Sequence, residues 1–237
     1  RRADGTTRWI RSLAAPFAPD AGPDRGYYSL LRDVQDETEA RLLLQEATGR
    51  DPLTGLDTWP VTVAHLEAAL AGLPARVALL CIGVDRVKQV NEGMSYASGD
   101  ALIAAVANRI VRATGGRVPV GRVAGDEFSV VALATRSDAE CIEIAETVLR
   151  GVRGELTVGF NRIMPTVSIG IATADSVSTP DSLLTAASLA MHAVKADGRD
   201  GWRFSDARLA AEAAERLWVE SELRMAVDAA QIVSWFQ

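Results

Sequence analysis

An α/β fold built on a mixed sheet is what this 237-residue sequence predicts. Segments of helical periodicity alternate with short apolar runs from residue 61 onward, the order of helices laid against a sheet. Inside that alternation stands VPVGRVAGDEFSVV, residues 118 to 131, two apolar strands around a short bend. A hairpin in that position makes the sheet mixed rather than parallel. Apolar residues form 48% of the chain, ample for a buried core.

Taken in order, residues 4 to 17 and 25 to 34 read as two strands around a loop, Ala18 to Arg25, rich in Pro, Gly and Asp. Two strands alone cannot bury a core. From Thr38 to Thr48, Ala40, Leu43, Leu44 and Ala47 recur at helical spacing and predict an amphipathic connector helix, suited to pairing with its copy in a dimer or to packing on its own domain. Val61 to Leu73 is an amphipathic helix, Ala75 to Asp85 a buried strand, and Ala101 to Ala113 a helix. The hairpin spans 118 to 134 and a helix Ser137 to Val152. Strands at about 156 to 160 and 164 to 173, a helix from Pro180 to Ala196 and a short strand from Gly201 to Phe204 complete the alternation. Ala207 to Ala230 reads as a long helix before Ile232 to Gln237.

Composition narrows the function classes. A net charge of -6 gives no basic footprint for nucleic acid. Cys81 and Cys141 sit inside apolar patterns, which points away from a disulfide framework and toward a reducing, cytoplasmic setting. The longest apolar run, Val77 to Val84, is too short to span a bilayer, and no membrane contact is expected. Beginning on Arg1 and stopping at Gln237 in mid-pattern, the sequence is expected to be a piece of a longer protein. Of its 25 basic residues only Lys88 and Lys195 are lysine.

The bend of the hairpin, Ala124-Gly125-Asp126-Glu127, places two adjacent carboxylates beside apolar strands, and they call for water or a cation. A Gly-Asp pair is also ordinary turn chemistry. Other motifs stand in order around it: Asp51-Pro52-Leu53-Thr54-Gly55-Leu56, Val84 to Asn91 (VDRVKQVN), Gly99-Asp100, Thr166 to Ala172 (TVSIGIA) and Ala193 to Arg199 (AVKADGR). With AGDEF one letter from GGDEF, this series resembles the GGDEF-domain family of diguanylate cyclases over about residues 51 to 205. The resemblance implies the nucleotidyl-cyclase arrangement, a mixed β-sheet with helices on both faces, over residues 51–206. The segment 1–37, ending in Asp33-Val34-Gln35-Asp36-Glu37-Thr38, resembles the last hairpin of a PAS sensor domain, with 38–50 as connector helix. Residues 207–237 look like the lead-in to an EAL domain.

The family's reaction condenses two GTP, one per subunit of a homodimer. Each 3′-hydroxyl attacks the other nucleotide's α-phosphate, releasing pyrophosphate and closing cyclic di-GMP. The resemblance assigns Glu127 as the catalytic glutamate. It puts Lys88, Lys195 and Arg199 on the phosphates, where an arginine offers a forked donor and a lysine a point charge. Gly125 lies in the signature loop against the substrate. Asn91 and Asp100 fall at the guanine-reading positions, although Asn91 can also close a turn and Asp100 cap the helix beginning at Ala101. Magnesium (or manganese) is the implied cofactor, with Asp126, Glu127 and the main-chain carbonyl of Val84 as ligands. His65 and His192 receive no role.

Departures from the pattern matter as much as the matches. A further family metal ligand, an aspartate two places before Asp85, is here Gly83. Asp85 shares that strand face but lies about 6.6 Å further on, beyond the same ion unless the strand end bends. Losing a carboxylate that bridges cations is expected to cost on the order of a thousandfold in rate. Ala124 replaces the first signature glycine and costs about 1 kcal/mol or more if that position needs positive φ or a close backbone approach to phosphate. An Arg-x-x-Asp product-inhibition motif would fall at Gly115 and Val118 and is missing. Three readings follow: a GTP-binding, catalytically impaired domain regulating an adjoining EAL domain; an active diguanylate cyclase; and a nucleotide-free dimerisation module.

Overall fold

The structure is a computed structural model that describes residues 10–17, 26–34, 48–72, 76–135, 137–159, 161–174 and 178–206, together with 219, 222 and 225–227. They fall into two compact units divided between Pro52 and Leu53. In the first, strands β1 (Ile10–Phe17) and β2 (Gly26–Asp33) pair antiparallel, the two strands expected there. Most of the expected connector helix, residues 35 to 47, and most of the final helix and strand at 207 to 237 lie outside the described residues.

The second unit carries β3 (Asp57–Thr58), α1 (Trp59–Ala71), β4 (Arg76–Val84), α2 (Val87–Gly93), α3 (Tyr96–Thr114), β5 (Val120–Ala124) and β6 (Glu127–Thr135). It continues with α4 (Asp138–Val152), β7 (Leu156–Val158), β8 (Asn161–Ile163), β9 (Val167–Thr173), α5 (Pro180–Ala196) and β10 (Gly201–Phe204). Six strands form one mixed sheet in the order β10-β9-β4-β6-β5-β3, with parallel pairs at both edges and antiparallel pairs between. Buried on both faces, β4 reads as an unbroken apolar run. Its Ala78, Leu80, Ile82 and Val84 join Leu102, Val106, Ile110 and Val148 of α3 and α4 in one core. Val77, Leu79 and Cys81 join Leu66 of α1 and Leu183, Ala187 and Met191 of α5 in the other.

Helices on both faces of a mixed sheet are the expected architecture, and three local details differ from expectation. The stretch from 87 forms α2, a seven-residue helix absent from the sequence reading because one short polar turn carries no periodic signal. Helix α3 starts at Tyr96 rather than Ala101. Ser95, whose side chain accepts from the Ser98 N–H at 3.1 Å, is its cap, so Asp100 lies inside the helix and is free of capping duty. The strand expected at 164 to 173 begins only at Val167. Asn161–Ile163 turns back on β7 as a separate hairpin, ahead of Pro165, which lacks an N–H for ladder pairing.

Helix α5 comes unusually close to the sheet at Gly170. A Cβ there would strike the Ala187 carbonyl oxygen and the Met191 amide nitrogen, backbone atoms that cannot step aside. This approach sets the height of α5 over the ends of β4 and β6. It decides which α5 side chains reach the hairpin bend.

Candidate functional site

The bend between β5 and β6 is two residues long, with Gly125 at φ +51° in the left-handed region that glycine adopts without a Cβ penalty. Arg122 donates from Nε (3.0 Å) and Nη2 (2.6 Å) to the Gly125 carbonyl and fastens the tip. The Val84 N–H, at the end of β4, donates to the Asp126 carbonyl at 3.0 Å and brings the main chain of Val84 beside the signature. Ala124 ends β5 outside the positive-φ residues, so its methyl group strains no backbone.

A cleft of about 430 Å³ opens beside the bend. Lys88, Asn91, Asp100, Gly125 and Asp126 all line it, five of the residues predicted from sequence. Gly99 makes room for Asn91 in this arrangement, since a Cβ there would collide with the Asn91 carboxamide. Asn91 Oδ1 is buried without a hydrogen-bond partner among the described residues. An orphaned acceptor of this kind costs free energy unless something donates to it, and guanine's N1–H and amino group are donors. Asp100, exposed one turn into α3, adds a second acceptor on the same cleft.

Lys88 is 86% exposed and among the described residues meets Glu92 at 3.8 Å, leaving its ammonium group accessible to an anion. Arg199 lies elsewhere: it lines a neighbouring cleft of about 670 Å³ with Asp85, Arg86 and Asp200. Gly198, Arg199 and Asp200 all have positive φ (114°, 70° and 50°), which for the two non-glycine residues costs of order 1–3 kcal/mol each. The Arg199 N–H to Val194 carbonyl bond at 2.9 Å and the Asp200 N–H to Asp85 Oδ2 bond at 3.3 Å hold this turn.

Asp85 is thereby accounted for. Its carboxylate also accepts from Thr166 Oγ1 and Ser168 Oγ, both at 2.8 Å, and it is 5% exposed. It ties β4, β9 and the Arg199 turn together. With its oxygens so engaged, it does not replace the carboxylate missing at position 83.

Gly83 stands between Glu127 on β6 and Ser168 on β9, on the sheet face covered by α5. A Cβ added there would strike Met191 Sδ and would lie 2.6 Å from Lys195 Cε and 2.7 Å from its Nζ. The space that an aspartate would occupy is filled by a thioether and an ammonium. From that position Lys195 Nζ, its side chain 20% exposed, donates to Asp126 Oδ2 at 3.2 Å. Magnesium takes oxygen ligands in near-octahedral geometry and loses water reluctantly. Here Asp126 is held by a lysine, Glu127 faces His192 Nε2 at 3.8 Å, and among the described residues no three His, Cys, Asp or Glu side chains gather to hold a metal. The donors present do not fit a pair of divalent cations.

Two residues near the site carried no role in the sequence analysis. His192, weighed there and left without one, has its Nε2 3.8 Å from Glu127 Oε1, and Arg122, which was not singled out, fixes the tip. His192 precedes Lys195 by three residues on α5 and so shares its face, a spacing visible in the sequence once Lys195 is placed. Beneath them Cys81 is fully buried, and burial, then the nearby Glu127 charge, push its thiol up to about 12.

Comparison with known proteins bears out the fold. The family described as diguanylate cyclase, GGDEF domain, matches residues 48–201. An uncharacterized protein of Mycobacterium tuberculosis is 31% identical over 202 residues, covering 84% of this chain and 32% of its own. MucR of Pseudomonas aeruginosa, named a bifunctional diguanylate cyclase/cyclic di-GMP phosphodiesterase, is 30% identical over 201 residues, covering 83% of this chain and 29% of its own. This chain thus spans about a third of the length of those relatives. A solved structure of the GGDEF domain of TpbB from P. aeruginosa is 26% identical, covers 70% of this chain and 99% of that one, and superposes with a TM-score of 0.66.

Proposed function

The chain belongs to the GGDEF-domain family of diguanylate cyclases, and from that membership we propose that it binds GTP in the cleft beside Gly125 and Asp126 while condensing it poorly or not at all. The observation that carries this reading is the filled space at Gly83. The base-reading and phosphate-reading side chains remain, whereas the cation site has lost one oxygen donor and gained an ammonium group.

GTP enters the reading through recognition. Guanine donates from its pairing edge to the Asn91 carboxamide and the Asp100 carboxylate, Lys88 and Lys195 supply positive charge for the phosphates, and Arg199 offers a further cation from the neighbouring cleft. Glu127 retains the family's catalytic position. A domain of this kind acts as a GTP-responsive regulator of an adjoining EAL phosphodiesterase, in a homodimer whose protomers also carry the PAS-like segment. That two-domain role is supported by MucR, whose name joins both activities, and by NbdA of P. aeruginosa, a named cyclic di-GMP phosphodiesterase that is 30% identical over 204 residues. The retained Asp126 and Glu127 favour a second reading, an active cyclase using Mg²⁺ or Mn²⁺.

Incubation with GTP and Mg²⁺ or Mn²⁺, measuring binding and cyclic di-GMP separately, distinguishes them. Saturable binding without product is the expected result. Turnover at rates ordinary for a cyclase would establish the second reading instead, and absence of binding would leave a nucleotide-free dimerisation module.

A further inference from the structure

We propose that Lys195 takes the place of a divalent cation in this site, so that the chain binds GTP without magnesium; the proposal rests on the GTP-binding reading above. Three observations on α5 and β4 converge on it. Gly83 leaves a space on the α5 face of β4, and the Lys195 side chain enters it, with Nζ 2.7 Å from the position a Cβ would take. The ammonium group reaches Asp126 Oδ2 at 3.2 Å. Helix α5 is fixed at this height by its backbone contact over Gly170, so Lys195 is delivered by a rigid element rather than by a surface loop.

The charge arithmetic of such a site is altered by the glycine. A third carboxylate beside Asp126 and Glu127 would make the pocket too anionic for a triphosphate unless cations screened it. Without that carboxylate, Lys195 balances Asp126, and Lys88, which lines the same cleft as Asp126, supplies a second positive charge against that of Glu127. An ammonium has three N–H donors, of which one is engaged by Asp126, and the others remain for phosphate oxygens. Lys195 is also mostly withdrawn from water, where a point charge acts with less screening than on an open surface. A divalent ion entering the same space would meet the ammonium at close range and be repelled. The site is therefore built to hold nucleotide tetraanion directly.

The test is equilibrium GTP binding by calorimetry in buffer with Mg²⁺ and in buffer with EDTA, on the unaltered chain and on Lys195→Gln, with circular dichroism confirming that the variant is folded. The unaltered chain is expected to show a Kd that shifts by less than about threefold between the two buffers, and Lys195→Gln to bind about tenfold or more weakly in EDTA, the loss of a charge-assisted contact. Titration of Mn²⁺ into the nucleotide-free chain, followed by electron paramagnetic resonance, is expected to show no tight site. GTP bound only in Mg²⁺ would overturn the proposal and leave the GTP reading standing. GTP bound in neither buffer would overturn both, and a tight Mn²⁺ site in the unaltered chain would overturn the substitution of lysine for metal alone.

Discussion

At Gly83 the absence of one side chain changes what its neighbours do. The Met191 thioether and the Lys195 ammonium occupy the space that a side chain there would take, and Lys195 is the counter-ion of Asp126. Both intruders are the ends of flexible side chains, so Gly83→Asp is expected to fold with them displaced. It should create Mn²⁺ binding detectable by paramagnetic resonance and raise cyclic di-GMP output by up to about a thousandfold, the equivalent of several kcal/mol; unchanged values for both would place the defect elsewhere. Asn91→Ala removes the orphaned acceptor and is expected to cut the preference for GTP over ATP by about tenfold in competition binding. A preserved preference would mean that Asn91 does not read the base. Lys88, Asn91, Asp100, Gly125 and Asp126 were legible from sequence because short motifs fix their spacing, and the fold brings all five to one cleft. The Lys195 to Asp126 contact was not legible, since it joins residues 69 apart through the height of a helix over a sheet. Ala124 illustrates the opposite case: of the two costs assigned to it, the one that depended on a positive φ falls away, because the backbone does not have it.

Helix α5 is the element that converts fold into site chemistry. Its contact over Gly170 involves backbone on the helix side, so Gly170→Val must push the helix outward; a loss of about 1–3 kcal/mol in chemical denaturation is expected, together with weaker GTP binding as Lys195 retreats. Equal stability would show that the helix yields freely. The same helix and the sheet enclose Cys81, whose thiol is held protonated up to about 12 against an ordinary value of 9.0. Its contribution to stability is complete below pH 9.0 and is lost as the pH rises toward about 12, because the unfolded thiol ionises first. Iodoacetamide at pH 8.5 is expected to leave Cys81 unmodified in the folded chain and to modify it in denaturant, as read by mass spectrometry; rapid native labelling would contradict this burial. At this scale the long periodic elements α4, α5 and β4 followed from sequence, whereas α2 and the β7–β8 hairpin did not. Seven and three residues are too few for periodicity to speak.

For the molecule as a whole, the mixed sheet provides two independently packed faces, one closed by α3 and α4 and the other by α1 and α5. The site lies where the ends of β4 and the β5–β6 hairpin meet α2 and α5, so the residues predicted to read the base and those predicted to hold the phosphates come from different layers. On the proposed reading, this separation lets a cation site degrade while the cleft beside α2 persists. Among the described residues no helix is long and apolar enough to cross a membrane. The account as a whole is tested most directly by a crystal structure of the chain with a non-hydrolysable GTP analogue and Mn²⁺, using manganese anomalous scattering to count ions. It requires the guanine between Asn91 and Asp100, the phosphates on Lys195 Nζ, and no manganese pair beside Asp126. A nucleotide bound elsewhere, or two manganese ions at full occupancy with Lys195 displaced, would contradict it.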